Sequence, residues 1–370
     1  MNFKVSKSDL QNAISTVIKA VPSKSNLTNS DCILIESRMD EVRLLANNGE
    51  MAIESVIDAS VLEEGKVCID SRRFQECIRK MPDEEVVIIG NRDYSVHISS
   101  GNPSLSIIGK EADTFNDLPA FNPKEHMDIH EFSLKEIIRQ TIFSISDNEA
   151  NRTLRGELFE IKDGILRVIS LDGQRVSIRK IEIEDETLQK KIIVPGRSLN
   201  DLYNILGKET DGVATLHFTD NHLIVTFDHT TFVTRLIDGE FFNVDNVLSK
   251  EYSTRITINK REMYECVDRS TIIAKEGDKK AIVLSISEGN VEFKMNSSIG
   301  SMKENISVDK KGNDLFIGFN PKYLMDALKA IDDENIHIYF ASPKSPCFIR
   351  DDEDTYVYMI LPVNLSADYR

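Results

Sequence analysis

The chain has 370 residues, a formal net charge of −16 and a sequence pI near 5.0. That length allows two or three domains with cores of their own, and no apolar run approaches the roughly 20 residues that span a bilayer. So acidic a chain repels nucleic acid unless its positive charge is gathered in one place.

Two further features bear on compartment. The opening MNFKVSKSDLQNAIS has no signal-peptide core. Cysteines 32, 68, 77, 266 and 347 include no C-x-x-C pair, which suits reduced, packed thiols in a cytoplasm.

In chain order, the first predicted element is an amphipathic helix over 6–21, with Ser6 as N-cap and Leu10 on its apolar stripe. VRLLANNGEMAIESVID, from Val42, reads as a hairpin, its apolar alternation broken by Asn-Asn-Gly. A second helix, 71–81, places Phe74, Cys77, Ile78 and Met81 at i, i+3, i+4 and i+7.

The same plan then recurs. Helix 133–145 (Ser133 as cap, Ile137 on the stripe) leads to the hairpin ILRVISLDGQRVSIRKIEI and to helix 196–206 with Leu199, Leu202, Tyr203 and Leu206. Helix 259–273 (Asn259 as cap, Met263 on the stripe) leads to VEFKMNSSIGSMKENISV and to helix 321–331 with Leu324, Ala327, Leu328 and Ile331. The second helices of the three copies superpose at a constant offset of 125 residues, the mark of an internal repeat. We expect an α+β fold of three modules, 1–126, 127–252 and 253–370, each with two helices on antiparallel sheets. PAFNPKEHMDIHEF and LSKEYSTR are the expected joins.

The charge is segregated. The six helical segments carry 14 Lys/Arg against 8 Asp/Glu, so the rest of the chain is more acidic than the whole. SRRFQECIRK is the richest, with Arg72, Arg73, Arg79 and Lys80 opposite its apolar stripe. For one helix a solvated face is the ordinary explanation; recurrence over three repeats favours a basic helical surface set against acidic sheets and loops. Such modules side by side, curved into a ring, would turn a positive lining toward a polyanion.

Catalytic motifs are missing. LGKET lacks the loop of a phosphate-binding G-x-x-x-x-G-K-[ST], and G-x-G-x-x-G and G-x-S-x-G do not occur. His126 and His130 would share a metal only on a helix. In ISLDGQRVSIRK, Asp172 and Arg175 fit a catalytic turn or a simple hairpin; the repeat makes it the hairpin of the second copy, leaving a further role open. A hydrolase using Asp172 or the His126/His130 pair, and a protein-binding scaffold without DNA, stand as rivals.

The chain resembles the bacterial DNA polymerase III beta subunit family, the sliding clamps, over nearly its whole length. The resemblance rests on MNFKVSKSDLQNAI, FSISDNEANRTLRGELFEI, LDGQRVSIRKIEI, IIVPGRSL, TRLIDGEFF, IGFNPKYLMDAL and YVYMILPVNL. It implies a head-to-tail homodimer closed into a ring of six modules around duplex DNA, a non-catalytic processivity factor without cofactor or metal, cytoplasmic and nucleoid-associated. The implied partners are sequence-independent double-stranded DNA, the replicative polymerase alpha subunit, the clamp loader and other replication and repair proteins; no membrane is involved.

By this resemblance Lys24, Arg73, Arg152 and Arg197 approach DNA; Arg72 joins them on its helical position alone. Leu105 and Ile107 would meet Ile272 and Ile273 of a second copy, although all four also look like internal core. A groove between the second and third modules would take client peptides. Leu154, Leu171, Gly173, Arg175, Val176, Phe242 and Val247 form one wall, with Arg175 holding peptide polar groups. Asn320, Tyr323, Pro343, Met359, Ile360, Leu361, Pro362 and Val363 form the other. Phe242 and Ser249 stand where the family usually has prolines, and Leu171 where it has a smaller or polar residue. NRTLRG is one residue short, and the tail SADYR runs past the usual end.

Overall fold

The six apolar stripes fold as helices. A computed structural model of the chain describes residues 1–22, 29–82, 85–119, 125–148, 150–207, 211–273 and 281–365. Its helices are α1 (Lys7–Val17), α2 (Ser71–Lys80), α3 (Glu131–Arg139), α4 (Gly196–Ile205), α5 (Lys260–Thr271) and α6 (Pro321–Ala330). Phe74, Ile78, Met81, Leu199, Leu202, Leu206, Leu324, Ala327, Leu328 and Ile331 are all buried, while Cys77 and Tyr203 are half-buried.

The caps divide. The Asn259 side chain accepts from the Glu262 amide at 3.1 Å, as expected of an N-cap. Ser6 precedes α1 but makes no cap bond, its hydroxyl meeting that of Ser8 at 2.7 Å. Ser133 is not a cap. Helix α3 starts two residues earlier at the buried Glu131, whose carboxylate accepts from the Gly207 amide at 2.8 Å. The Glu131 amide donates to the Gly212 carbonyl, also at 2.8 Å. A tertiary tie sets the helix start where local capping would have put it later.

Contacts group the chain into two compact units, residues 1–134 with 200–236, and 135–199 with 237–370. The first holds a five-stranded and an eight-stranded antiparallel sheet. In the larger sheet, strands of the first repeat (Cys32–Arg38, Glu41–Asn47, Met51–Asp58, Gly65–Asp70) continue into strands of the second. Met51–Asp58 pairs there with Thr230–Arg235, setting Phe232 opposite Ile53 and Val233 opposite Ala52. His126–His130, expected in a join, is the outermost strand of this sheet.

The second unit holds a nine-stranded and a four-stranded sheet. In the larger one the second repeat continues into the third: Arg175–Glu182 pairs with Tyr356–Ile360, with Val176 opposite Met359 and Ile178 opposite Val357. Side chains alternate across a strand. Tyr356, Tyr358 and Ile360 therefore enter the core beneath α5 and α6 with Phe293, Phe319 and Phe340, while Val357 and Met359 join a second cluster on the opposite face. Phe241 and Val244, with the partly buried Leu248, lay the segment 237–250 across that second face. The expected hairpin glycines Gly49 and Gly173 take positive φ, 89° and 87°, which a side chain would resist.

The cysteines are packed thiols. Four are buried and Cys77 is half-buried, and burial pushes Cys32 up to about 11 and Cys68 and Cys266 up to about 12.

One core group is out of place. Glu157 on the strand Gly156–Lys162 is fully buried, and neither carboxylate oxygen has a hydrogen-bond partner. Thr141, whose dipole reaches it, donates its hydroxyl proton to the Ile137 carbonyl at 2.7 Å. Desolvation lifts its pKa well above the ordinary glutamate value, so the folded chain holds this proton where the unfolded chain, at about 4.3, has released it. Its cost to stability is therefore smallest below the unfolded value and grows as pH rises toward the folded one. Glu157→Met is expected to raise unfolding free energy by roughly 1–3 kcal/mol at pH 8 and by less at pH 5, measured by urea unfolding. Equal gains at both pH values would contradict a proton held on Glu157.

Candidate peptide groove and cationic surfaces

The hairpin around LDGQR is built by Asp172. Its Oδ1 accepts from the amides of Gln174 (2.8 Å) and Arg175 (3.1 Å), and Gly173 supplies the positive φ of the turn. Asp172 is thus a turn residue with no carboxylate left for catalysis: its Oδ2 receives Nε of Arg175 at 3.0 Å.

Arg175 is itself enclosed, its side chain 8% exposed. One terminal nitrogen donates to Asp326 on α6 at 2.6 Å, and the other donates to the Phe143 carbonyl. The guanidinium lies 4.5 Å from the Tyr323 ring centroid and 5.5 Å from that of Phe143, a stacking worth most where water is excluded. The expectation that Arg175 holds peptide polar groups is corrected here. Its charge is spent within the chain, and what it offers the groove is a fixed Tyr323.

Around this clamp the structure brings together part of the expected groove. Leu171, Val176 and Met359 share one apolar cluster with the partly buried Leu154. Leu361 is held by its amide donating to the Gln174 carbonyl (2.9 Å) and Val363 by its amide donating to the Gly318 carbonyl (2.8 Å); Leu361, Pro362 and Val363 stay half-exposed. Phe242 and Val247 stand out from the crossing segment at 49% and 37% exposure, and Pro343 is exposed on its loop. One expected residue turns away and another is tied to a helix end. Ile360, 1% exposed, points into the core beneath α6 because it alternates with Met359. Asn320 caps α6, its side-chain oxygen accepting from the Lys322 amide at 3.0 Å.

Phe143, Asp326 and the anchors Phe241, Val244 and Leu248 were not singled out from the sequence. The last three carried a signal, recurring at spacings of three and four just before and at the start of the expected join LSKEYSTR.

The arginines fall into two sets. Arg43, Arg139, Arg167, Arg175 and Arg269 bind carboxylates within the chain. Arg72 and Arg73 on α2, Arg152 in the turn Arg152–Arg155 and Arg197 on α4 are exposed, without an acidic partner among the described residues. These four are the ones expected to meet phosphate. Lys24 lies outside the described residues, as does the tail 366–370.

At the proposed subunit contact, Leu105 (42% exposed) and the half-buried Ile107 lie on Ser104–Ile108, an edge strand of the five-stranded sheet. Ile272, 76% exposed, and the half-buried Ile273 follow α5. Arg269 of α5 pairs with Glu304 at 2.5 Å on the edge strand Ser301–Ser307. None of the four apolar residues belongs to a described core cluster. His126 and His130 sit four apart on a strand, about 13 Å from end to end, too far to share one ion. Among the described residues no group of three or more His, Cys, Asp or Glu side chains is arranged to hold a metal.

Comparison with known proteins then decides the family. The N-terminal, central and C-terminal domain families of the DNA polymerase III beta subunit match residues 1–119, 128–243 and 245–364. The chain belongs to the DNA polymerase III beta subunit family. A beta sliding clamp of Staphylococcus epidermidis is 30% identical over 374 residues, covering 98% of this chain and 99% of the relative. The crystal structure of a putative DNA polymerase III beta subunit from Eubacterium rectale superposes with a TM-score of 0.95 at 44% identity, over 99% of this chain and all of that one. The DNA polymerase sliding clamp of Bacillus subtilis superposes at 0.96 with 28% identity, over 99% and 100%. In this beta-subunit chain the central family domain contributes strands to both compact units, because each of its sheets continues into a neighbour's. Among the described residues no helix is long and apolar enough to cross a membrane.

If Arg175 holds Tyr323 and α6 in place, Arg175→Met should lower unfolding free energy by about 3 kcal/mol, because Asp326 is left without its partner. Adding Asp326→Leu should return part of that loss. A single variant within 0.5 kcal/mol of the parent in urea unfolding, the usual scatter of a surface change, would rule out the clamp.

Proposed function

We propose that the chain is a DNA sliding clamp, a non-catalytic processivity factor that encircles duplex DNA and tethers the replicative polymerase. The match of all three family domains in order along the chain carries this reading. In the family the ring is a homodimer of six modules; here these are 1–126, 127–252 and 253–370 from each chain. Its partners are double-stranded DNA without sequence preference, the polymerase alpha subunit, the clamp loader and other clamp-binding proteins, and its place is the cytoplasm, at the nucleoid.

The two subunits meet head to tail through Leu105 and Ile107 on one side and Ile272 and Ile273 on the other. Open strand edges beside exposed apolar residues support this, since an unpaired edge is a template for another chain. Arg72, Arg73, Arg152 and Arg197 line the passage. Phosphate contacts through mobile cationic side chains carry no base information and allow sliding. The groove of Leu154, Leu171, Gly173, Val176, Phe242, Val247, Tyr323, Pro343, Met359, Leu361, Pro362 and Val363 takes apolar client anchors, each contributing about 1.5–3 kcal/mol when fully buried.

Paired Leu105→Asp and Ile272→Asp changes should lower the native mass from twice 41.9 kDa to 41.9 kDa in light scattering; an unchanged mass would remove this interface. Loaded by a clamp loader onto a nicked circular plasmid, the chain should stay with the DNA through gel filtration and leave once the circle is cut. Retention on the linear product would favour a binding scaffold over a topological clamp.

A further inference from the structure

Beyond the groove, the second unit contains a cavity of about 330 Å³ beneath the segment 245–250. Its floor is apolar: Ile178, Leu248, Phe348 and Val357. Its rim is not. Arg167, Lys180, Lys250 and Arg350 stand there against Asp245 and Asp354, a cationic surplus on a chain whose net charge is −16.

The pairing within the rim leaves capacity unspent. Arg167 reaches Glu160 at 3.3 Å and Asp245 at 2.7 Å, yet its Nε is buried with no hydrogen-bond partner. Lys250 and Arg350 share the single carboxylate of Asp354, at 3.1 and 3.6 Å. Arg350 lies over the Tyr339 ring, 4.6 Å from its centroid. Lys180, half-buried, has no ion pair among the described residues. Three carboxylates, those of Glu160, Asp245 and Asp354, thus serve four cations, in a recess about the size of a small ligand pocket.

The two halves of the lining select by different rules. A bare hydrated anion gains nothing from the apolar floor, and a neutral apolar group leaves the cations without a counter-charge. We propose that this cavity is a binding site for an apolar group bearing one carboxylate, the carboxylate seated between Lys180 and Arg167 and the apolar part on Ile178, Leu248 and Val357. The site is distinct from the peptide groove. Val247 is exposed on the crossing segment and is counted in the groove, whereas its neighbour Leu248 lines the cavity. Such a group can come from a free small acid or from an acidic residue beside an apolar one in a bound peptide.

Methyl NMR of the full-length chain distinguishes these sources. 4-Phenylbutyrate represents the free acid, and N-acetyl-Asp-Leu-amide, whose only carboxylate is a side chain, represents the peptide. At least one should shift the Ile178, Leu248 and Val357 methyls saturably, and which one does so identifies the source. 4-Phenylbutyramide, and either acid on Lys180→Met, should bind roughly tenfold more weakly, the loss expected for one charged hydrogen bond. The proposal is overturned if neither acid moves these methyls, if the amide binds as tightly as the acid, or if Lys180→Met changes nothing.

Discussion

Backbone pairing between repeats is the interaction on which the rest of this structure depends. A small α+β module leaves open strand edges, and an open edge carries unmet donors and acceptors. The chain closes two of them internally, Thr230–Arg235 on Met51–Asp58 and Arg175–Glu182 on Tyr356–Ile360. The second ladder also brings together the apolar residues of the proposed groove. Val176 and Met359 are 183 positions apart in sequence, yet they are directly opposed. A slip of one residue would exchange Met359 and Ile360 between the two clusters that the strand separates.

The same ladder explains why Arg175 is buried. Its strand position faces α6 and the turn Ile142–Ser144 rather than the groove, so its guanidinium is surrounded by Asp172, Asp326, the Phe143 carbonyl and two rings. A buried cation is tolerated only when it is paired and hydrogen-bonded. The exposed arginines of α2, α4 and the turn Arg152–Arg155 face no such demand. The division is one of burial: arginines that hold the fold are neutralised in place, and the exposed ones keep their charge without a local partner.

Much of the fold was legible because helix and hairpin signals are local. The stripe from Phe74 to Met81, the Asn259 cap and the glycines at 49 and 173 each depend on neighbours a few residues away. Where a distant group intervened, local reading failed. Gly207 and Gly212 moved the start of α3 from Ser133 to Glu131. Pairing with Val213–Phe218 made a strand of His126–His130, which had read as a join. Among the groove candidates, Ile360 turned away by strand alternation, and the side-chain oxygen of Asn320 accepts from the first turn of α6.

By itself, then, the sequence determined the repeat, its six helices, its hairpins and the excess of positive charge on the helices, all properties of spacing along the chain. The tertiary structure alone decided which cations are free and which are spent, which core each face of Tyr356–Ile360 enters, and where the central repeat shares its sheets. Those outcomes rest on pairings between residues far apart in sequence, and a periodicity contains no record of the partner it will meet.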